Sequence, residues 1–200
     1  MRRAVFLDRD GVLVEDVDQL TCADQLRLLS DVPVALNTLH NAGFALVVVS
    51  NQPVVARGLV TEEEVVRIHA ELERLILAAG GPALDRIYFC PHHPKATLPA
   101  YRLDCDCRKP KPGLLLRAAQ ALNLDLRMSF LVGDRITDII AGAKAGCRTL
   151  LVQTGKHLDK PIETSEPVDT TIQPDHVCAD LPAAAEWIVG NAECRMQNDK

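Results

Sequence analysis

The sequence has no apolar run approaching the roughly 18 residues that a membrane-crossing helix needs. Its continuous apolar stretch, Phe44–Val49, is far shorter. It has no excess of positive charge either: 22 Lys and Arg against 27 Asp and Glu give a net charge of -5. That balance argues against a general binder of nucleic acid or anionic membrane, though not against one basic pocket. No leader is expected, because Met1-Arg2-Arg3 runs straight into a strand-like segment with no small-residue cleavage site. An even cysteine framework is missing. The seven cysteines are odd in number and unevenly clustered, which fits metal binding and free thiols better than disulfides. Internal repeats and low-complexity tracts are also absent. The expectation is a cytoplasmic protein with no nucleic-acid or membrane partner. It is expected to be a monomer, since nothing marks an interface. What is present is 48% hydrophobic residues in a chain of 200, enough for one sizeable core.

Short apolar runs alternate with helical patterns. Ala4–Leu7, Phe44–Val49, Leu84–Phe89, Phe130–Val132 and Arg148–Val152 read as strands, and Asp175–Cys178 as a last short one. Helices are expected from Ser30 or Asp31 as cap to Gly43, from Thr61 to Gly80, over Gly113–Leu122, over Thr137–Ala145 and over Leu181–Val189. Thr61 and Glu64 have capping-box spacing, and the acids Glu62–Glu64 suit a helix start. Residues 15–24 read as a polar flap and 156–175 as a long surface loop. The expected organisation is one domain over 1–190, with a frayed tail over 191–200. Such alternation implies an α/β fold with a mainly parallel sheet. Three strands end in polar residues, at Asp8 and Asp10, at Ser50 and Asn51, and at Asp134. In parallel sheets ligands bind beyond the carboxyl ends of the strands, so these residues should share one crevice.

Asp8-Arg9-Asp10-Gly11 closes the first strand. On extended backbone residues two apart share a side, so Asp8 and Asp10 should sit together and Arg9 should point away as a structural residue. Two adjacent carboxylates repel, so either a cation holds them or one keeps its proton. A second cluster follows the third strand. Cys90-Pro91-His92-His93-Pro94 and Cys105-Asp106-Cys107 offer a Cys-x-His and a Cys-x-Cys about a dozen residues apart. Four such ligands favour tetrahedral Zn2+ in a closed, structural site, with His93 the alternative histidine. That site would pin the loop at about 90–109, which carries Arg108 and Lys109 towards the crevice.

The order strand-Asp-x-Asp-Gly, strand-Ser, basic residue before a helix, then strand-Gly-Asp-x-x-x-Asp (Asp134, Asp138) resembles the haloacid dehalogenase-like phosphohydrolases. The resemblance covers about Phe6 to Val152. It implies a three-layer, Rossmann-like parallel sheet with little or no cap domain and an Mg2+-dependent phosphatase. Asp8 would be the nucleophile and Asp10 the acid and base. Ser50 and Lys109 would bind the phosphoryl group. Mg2+ would lie on Asp8, the Asp10 carbonyl and Asp134, with Asp138 beside it. Cys-Pro-His-His-Pro followed by Cys-x-Cys-Arg-Lys-Pro is similar to the D-glycero-D-manno-heptose 1,7-bisphosphate phosphatases, which share this loop with the histidinol-phosphate phosphatases. Asn51-Gln52, Ala56-Arg57-Gly58 and Thr154-Gly155-Lys156 also match.

This second resemblance implies zinc on Cys90, His92, Cys105 and Cys107. It implies a small phosphorylated sugar substrate contacted by Asp16, Gln19, Asn51, Gln52, Arg57, Arg108 and Arg135. Three positions depart from the pattern: Val12 stands where the heptose enzymes have Thr, and Pro53-Val54 where they have Ser-Gly. Plain readings suffice elsewhere. His40 and His69 read as surface or core-edge residues, Cys22, Cys147, Cys178 and Cys194 as small fillers or thiols, and Trp187 as an anchor for the last helix.

Overall fold

A computed structural model describes residues 1–155, 169 and 171–196, with side chains to residue 192. Most of the 156–175 loop and Lys156 lie outside the described residues. Six strands form one parallel sheet: β1 (Ala4–Leu7), β2 (Ala45–Asn51), β3 (Arg86–Cys90), β4 (Phe130–Gly133), β5 (Arg148–Val152) and β6 (His176–Cys178), in the order β3-β2-β1-β4-β5-β6. The helices are α1 (Val32–Asn41), α2 (Pro53–Ala56), α3 (Glu62–Ala78), α4 (Gly113–Leu122), α5 (Ile136–Ala145) and α6 (Leu181–Met196).

The two-residue period of the strands sorts the core into two halves. Val5, Leu7, Leu46 and Val48 face a cluster with Leu36 and Leu39 of α1, Ile68 and Leu72 of α3, and Ala184 and Ile188 of α6. Ala4, Phe6, Val47 and Val49 face the opposite cluster, with Leu114 and Leu115 of α4 and Ala141 of α5. The central strands are buried on both sides, which is why they read as unbroken apolar runs. Each large apolar side chain so withdrawn contributes about 1.5–3 kcal/mol. This is the expected three-layer α/β fold. Among the described residues no helix is long and apolar enough to cross a membrane.

The capping box at α3 forms: Glu64 N–H donates to Thr61 Oγ1 at 3.2 Å, and Thr61 N–H to the Glu64 carboxylate at 2.7 Å. Four expectations need correction. β2 runs on through Ser50 and Asn51, because their backbones still pair with Phe89 and Cys90 of β3. β3 starts at Arg86 rather than Leu84, since the Asp85 side chain accepts the Leu46 N–H at 2.8 Å and takes over a ladder bond. Asp31 caps α1 without a side-chain bond, its backbone being left-handed at φ 59°. α6 passes Gly190 to Met196, so the expected tail from 191 is helix as far as Met196. A helical glycine costs only about 1 kcal/mol. Ala192 packs in the core, and Asn191 Nδ2 donates to the Trp187 carbonyl at 2.8 Å. The short helix α2 carried no periodic signal.

Candidate active site

Asp8 follows β1 and remains tied to the sheet, its N–H donating to the Val132 carbonyl at 3.0 Å. Asp134 follows β4, and Asp138 lies one turn into α5, where its carboxylate accepts the Arg135 N–H at 3.1 Å and closes that helix start. Oxygens of Asp8, Asp134 and Asp138 all lie within 4.8 Å of one another, and all three residues are buried. Into this cluster comes Lys109, also buried. Its Nζ donates to the Val49 carbonyl at 2.8 Å and sits 3.1 Å from Asp8 Oδ1 and 2.5 Å from Asp138 Oδ1. One ammonium proton goes to the Val49 carbonyl, and two carboxylates stand within ion-pair range of the same nitrogen. Burial disfavours the Lys109 cation, but Asp138 and Asp8 outweigh it and hold its pKa above the ordinary lysine value. Burial also raises Asp138, with the Asp8 charge adding to it and Lys109 opposing.

Three carboxylates face one buried ammonium and, 3.9 Å from Asp134, the Arg135 guanidinium that Asp16 shares, so negative charge is left over. The donors are all oxygen, a set suited to a small hard divalent cation. The backbone closes on the same place. A Cβ on Gly155 would fall 2.2 Å from Asp134 Oδ2, and one on Gly11 2.6 Å from it. Gly11 also has φ +77°, which a side chain resists. Thr154 Oγ1 donates to the Gly11 carbonyl at 2.5 Å and binds the loop after β5 to the Asp8–Gly11 turn. These residues can therefore hold Mg2+.

Arg9 departs from the alternation argument. β1 ends at Leu7, and from Arg9 the chain curls, with Leu13 and Val14 N–H both donating to the Arg9 carbonyl. The Arg9 side chain is buried inside the site and grips Asp10: Nε on Oδ1 at 2.9 Å and Nη2 on Oδ2 at 2.8 Å. Asp10 stands outside the three-carboxylate cluster. Burial raises its pKa above the usual carboxylate value, Arg9 pulls it down, and the nearby Asp8 charge adds to the rise.

Gln52 is 2% exposed, so its carboxamide is turned inward. Nε2 donates to Ser50 Oγ at 2.9 Å and to Asp10 Oδ2 at 3.1 Å, and Oε1 accepts from Arg9 Nη2 at 3.0 Å. Asn51 likewise faces the protein. Its Oδ1 accepts the Lys109 N–H at 3.1 Å and its Nδ2 donates to the Lys109 carbonyl at 3.0 Å. The resemblance set both amides against the sugar; here they hold Asp10, Ser50 and the main chain of Lys109. Asp16 on the flap accepts from Arg135 Nη2 at 3.0 Å, and Arg108 Nη1 donates to the His92 carbonyl at 3.1 Å. Gln19 and Arg57 are exposed.

The loop after β3 gathers Cys90, His92, Cys105 and Cys107. The thiol sulfurs are 3.0–3.4 Å apart, beyond disulfide bonding, and His92 Nδ1 lies 3.5 Å from Cys107 Sγ and 3.8 Å from Cys90 Sγ. The sulfur contact with Cys90 first, and then that with Cys105, lowers the Cys107 pKa, while burial opposes them. The hydrogen bond to Cys107 raises Cys90 first, and burial raises Cys105 first. Three thiols this close do not all ionise without a cation among them, and three sulfurs with one imidazole nitrogen suit a tetrahedral metal. His93 is turned elsewhere; its Nδ1 accepts the Lys95 N–H at 3.1 Å.

The sequence reading missed Arg9 and His69. His69 is buried, with Nε2 3.3 Å from Arg9 Nη1. It occupies the apolar stripe of α3 beside Ile68 and Leu72, the one signal that could have placed it inside.

Residues 106–184 match the HAD-hydrolase-like family. The D-glycero-beta-D-manno-heptose-1,7-bisphosphate 7-phosphatase of Photorhabdus laumondii is 41% identical over 187 residues, 92% of this chain and 96% of that protein. The D-glycero-D-manno-heptose-1,7-bisphosphate 7-phosphatase of Thermosynechococcus vestitus is 40% identical over 94% of this chain and 95% of its own. Among solved structures, D,D-heptose 1,7-bisphosphate phosphatase from B. bronchiseptica, complexed with magnesium and phosphate, aligns with TM-score 0.79 and 33% identity over 94% of this chain and 99% of that one.

Proposed function

The chain belongs to the heptose-1,7-bisphosphate 7-phosphatase family of haloacid dehalogenase-like phosphatases, and from that membership we propose that it removes the 7-phosphate of D-glycero-D-manno-heptose 1,7-bisphosphate. Residues 1–190 act as one catalytic domain. Asp8, the Asp10 carbonyl and Asp134 hold Mg2+, and Cys90, His92, Cys105 and Cys107 hold Zn2+. Bound magnesium supplies positive charge against the phosphoryl oxygens.

Asp8 attacks phosphorus, the bond from phosphorus to the sugar oxygen breaks, and an aspartyl-phosphate remains. Asp10 gives its proton to the departing alkoxide. It then takes one from the water that attacks phosphorus, which releases phosphate and restores the Asp8 carboxylate. Lys109 places positive charge beside Asp8, and Ser50 offers a hydroxyl at the end of β2. Asp16, Gln19, Asn51, Gln52, Arg57, Arg108 and Arg135 surround the sugar and its second phosphate.

One observation carries the reading: the Cys-His cluster and Lys109 lie on a single segment, and that segment sets Lys109 Nζ between Asp8 and Asp138. Phosphate release with Mg2+ from both heptose 1,7-bisphosphate anomers, fructose 1,6-bisphosphate, histidinol phosphate and a sugar monophosphate tests it. The expected result is a preference of about a hundredfold or more for one heptose anomer. Preference for histidinol phosphate would keep the chemistry and replace the substrate.

The zinc loop makes its own prediction. The purified protein should carry about one zinc per chain. Cys105→Ser should lose that ion and lower kcat roughly tenfold or more, because one of the anchors that hold the Lys109 segment is then lost. Zinc analysis beside steady-state rates checks it, and full activity without zinc would refute the positioning role.

A further inference from the structure

Arg9 has no part in the reaction just described, yet among the described residues it is the largest fully buried side chain. Two of its nitrogens lie on the two oxygens of Asp10, and one of these also reaches Gln52. The third nitrogen, Nη1, faces His69 Nε2 at 3.3 Å. A guanidinium only donates, so Nε2 accepts and the imidazole proton is on Nδ1. Burial lowers the His69 pKa to about 3, with the Arg9 charge adding to it, so the ring is neutral. Its other side meets Phe89 of β3 edge-on, with centroids 5.4 Å apart.

We propose that Arg9 is a positioning residue for the Asp10 carboxyl, and that His69 is the neutral acceptor through which α3 locks Arg9 in place. A two-pronged contact fixes both oxygens of a carboxylate in the guanidinium plane. That plane has freedom to tilt unless its far corner is held, and His69 holds that corner. The orientation of Asp10 towards a leaving oxygen is then set by a helix that contributes nothing to the carboxylate cluster. The inference rests on the acid role given to Asp10 above.

The test compares kcat/KM of the full chain for two esters, a sugar monophosphate and p-nitrophenyl phosphate. The first must protonate its alkoxide as it leaves, and the second departs as a stable phenolate. His69→Leu fills the space without an acceptor, and His69→Gln keeps one. His69→Leu is expected to lower kcat/KM for the sugar ester about tenfold and to leave the aryl ester within about twofold. His69→Gln is expected to recover most of the loss. Arg9→Gln, from the other side of the contact, should give the same ester-selective loss. Equal losses on both esters, or none on either, would overturn the proposal. A wild-type protein that hydrolyses neither ester would overturn the catalytic reading, and the positioning role with it.

Discussion

Asp8→Asn should stop phosphate release, with a fall in kcat on the order of 10^4 or more, because an amide cannot attack phosphorus. The change should spare the rest of the molecule. The carboxamide has almost the same shape, the Asp8 N–H bond to Val132 involves only backbone, and the zinc loop is untouched. Stability should even move the other way in magnesium-free buffer. Asp8, Asp134 and Asp138 repel within one buried cluster, and neutralising one of them relieves that repulsion. The expected signature is a dead enzyme with unchanged zinc content and a melting temperature no lower than wild type. Retention of full activity would remove Asp8 from the mechanism.

Lys109→Met should do the opposite to stability. The ammonium is surrounded by Val49 O, Asp8 and Asp138, and its removal strands two buried carboxylates. Breaking a buried pair on one side costs about 3–5 kcal/mol, much of it the penalty on the charge left behind. Activity should fall by about 10² to 10³, the usual scale for a lost electrostatic stabiliser. Magnesium should raise the melting temperature of this variant more than that of the wild type, since a cation then replaces the missing charge and binding stabilises the folded state. Urea or thermal unfolding with and without Mg2+ measures both effects. An equal magnesium shift in the two proteins would mean that ion and lysine do not share the same charge.

Much of this site was legible because strands announce themselves and their ends are marked. The apolar runs before Asp8 and Asp134 located two strand ends, the run before Ser50 stopped two residues short of a third, and parallel topology then required them to converge. The cysteine and histidine spacing was equally plain, since few pressures other than a metal gather such residues. What was hidden lay where regular structure stops. The strand rule sent Arg9 away from Asp10, but β1 ends at Leu7 and the following turn brings that side chain back. His69 looked like an ordinary polar residue because its partner is 60 positions away. The bonds that Asn51 and Gln52 make inside the protein could not be read either, because their partners Lys109 and Asp10 lie on other segments. Gly190 suggested a helix end that packing of Ala192 overrides.

The Asn51 clamp has a broader consequence. It grips Lys109 by its N–H and carbonyl, groups that nearly every amino acid possesses, and asks nothing of neighbouring side chains. Arg108 can therefore be exchanged while the amine beside it stays in register. On the proposed reading the loop separates two tasks that many enzymes entangle: Lys109 is anchored for bond breaking, and its neighbour Arg108, which also bonds the His92 carbonyl, meets the substrate. If Arg108 meets the substrate as proposed, variation at 108 is a route to new specificity that leaves the reaction centre in place.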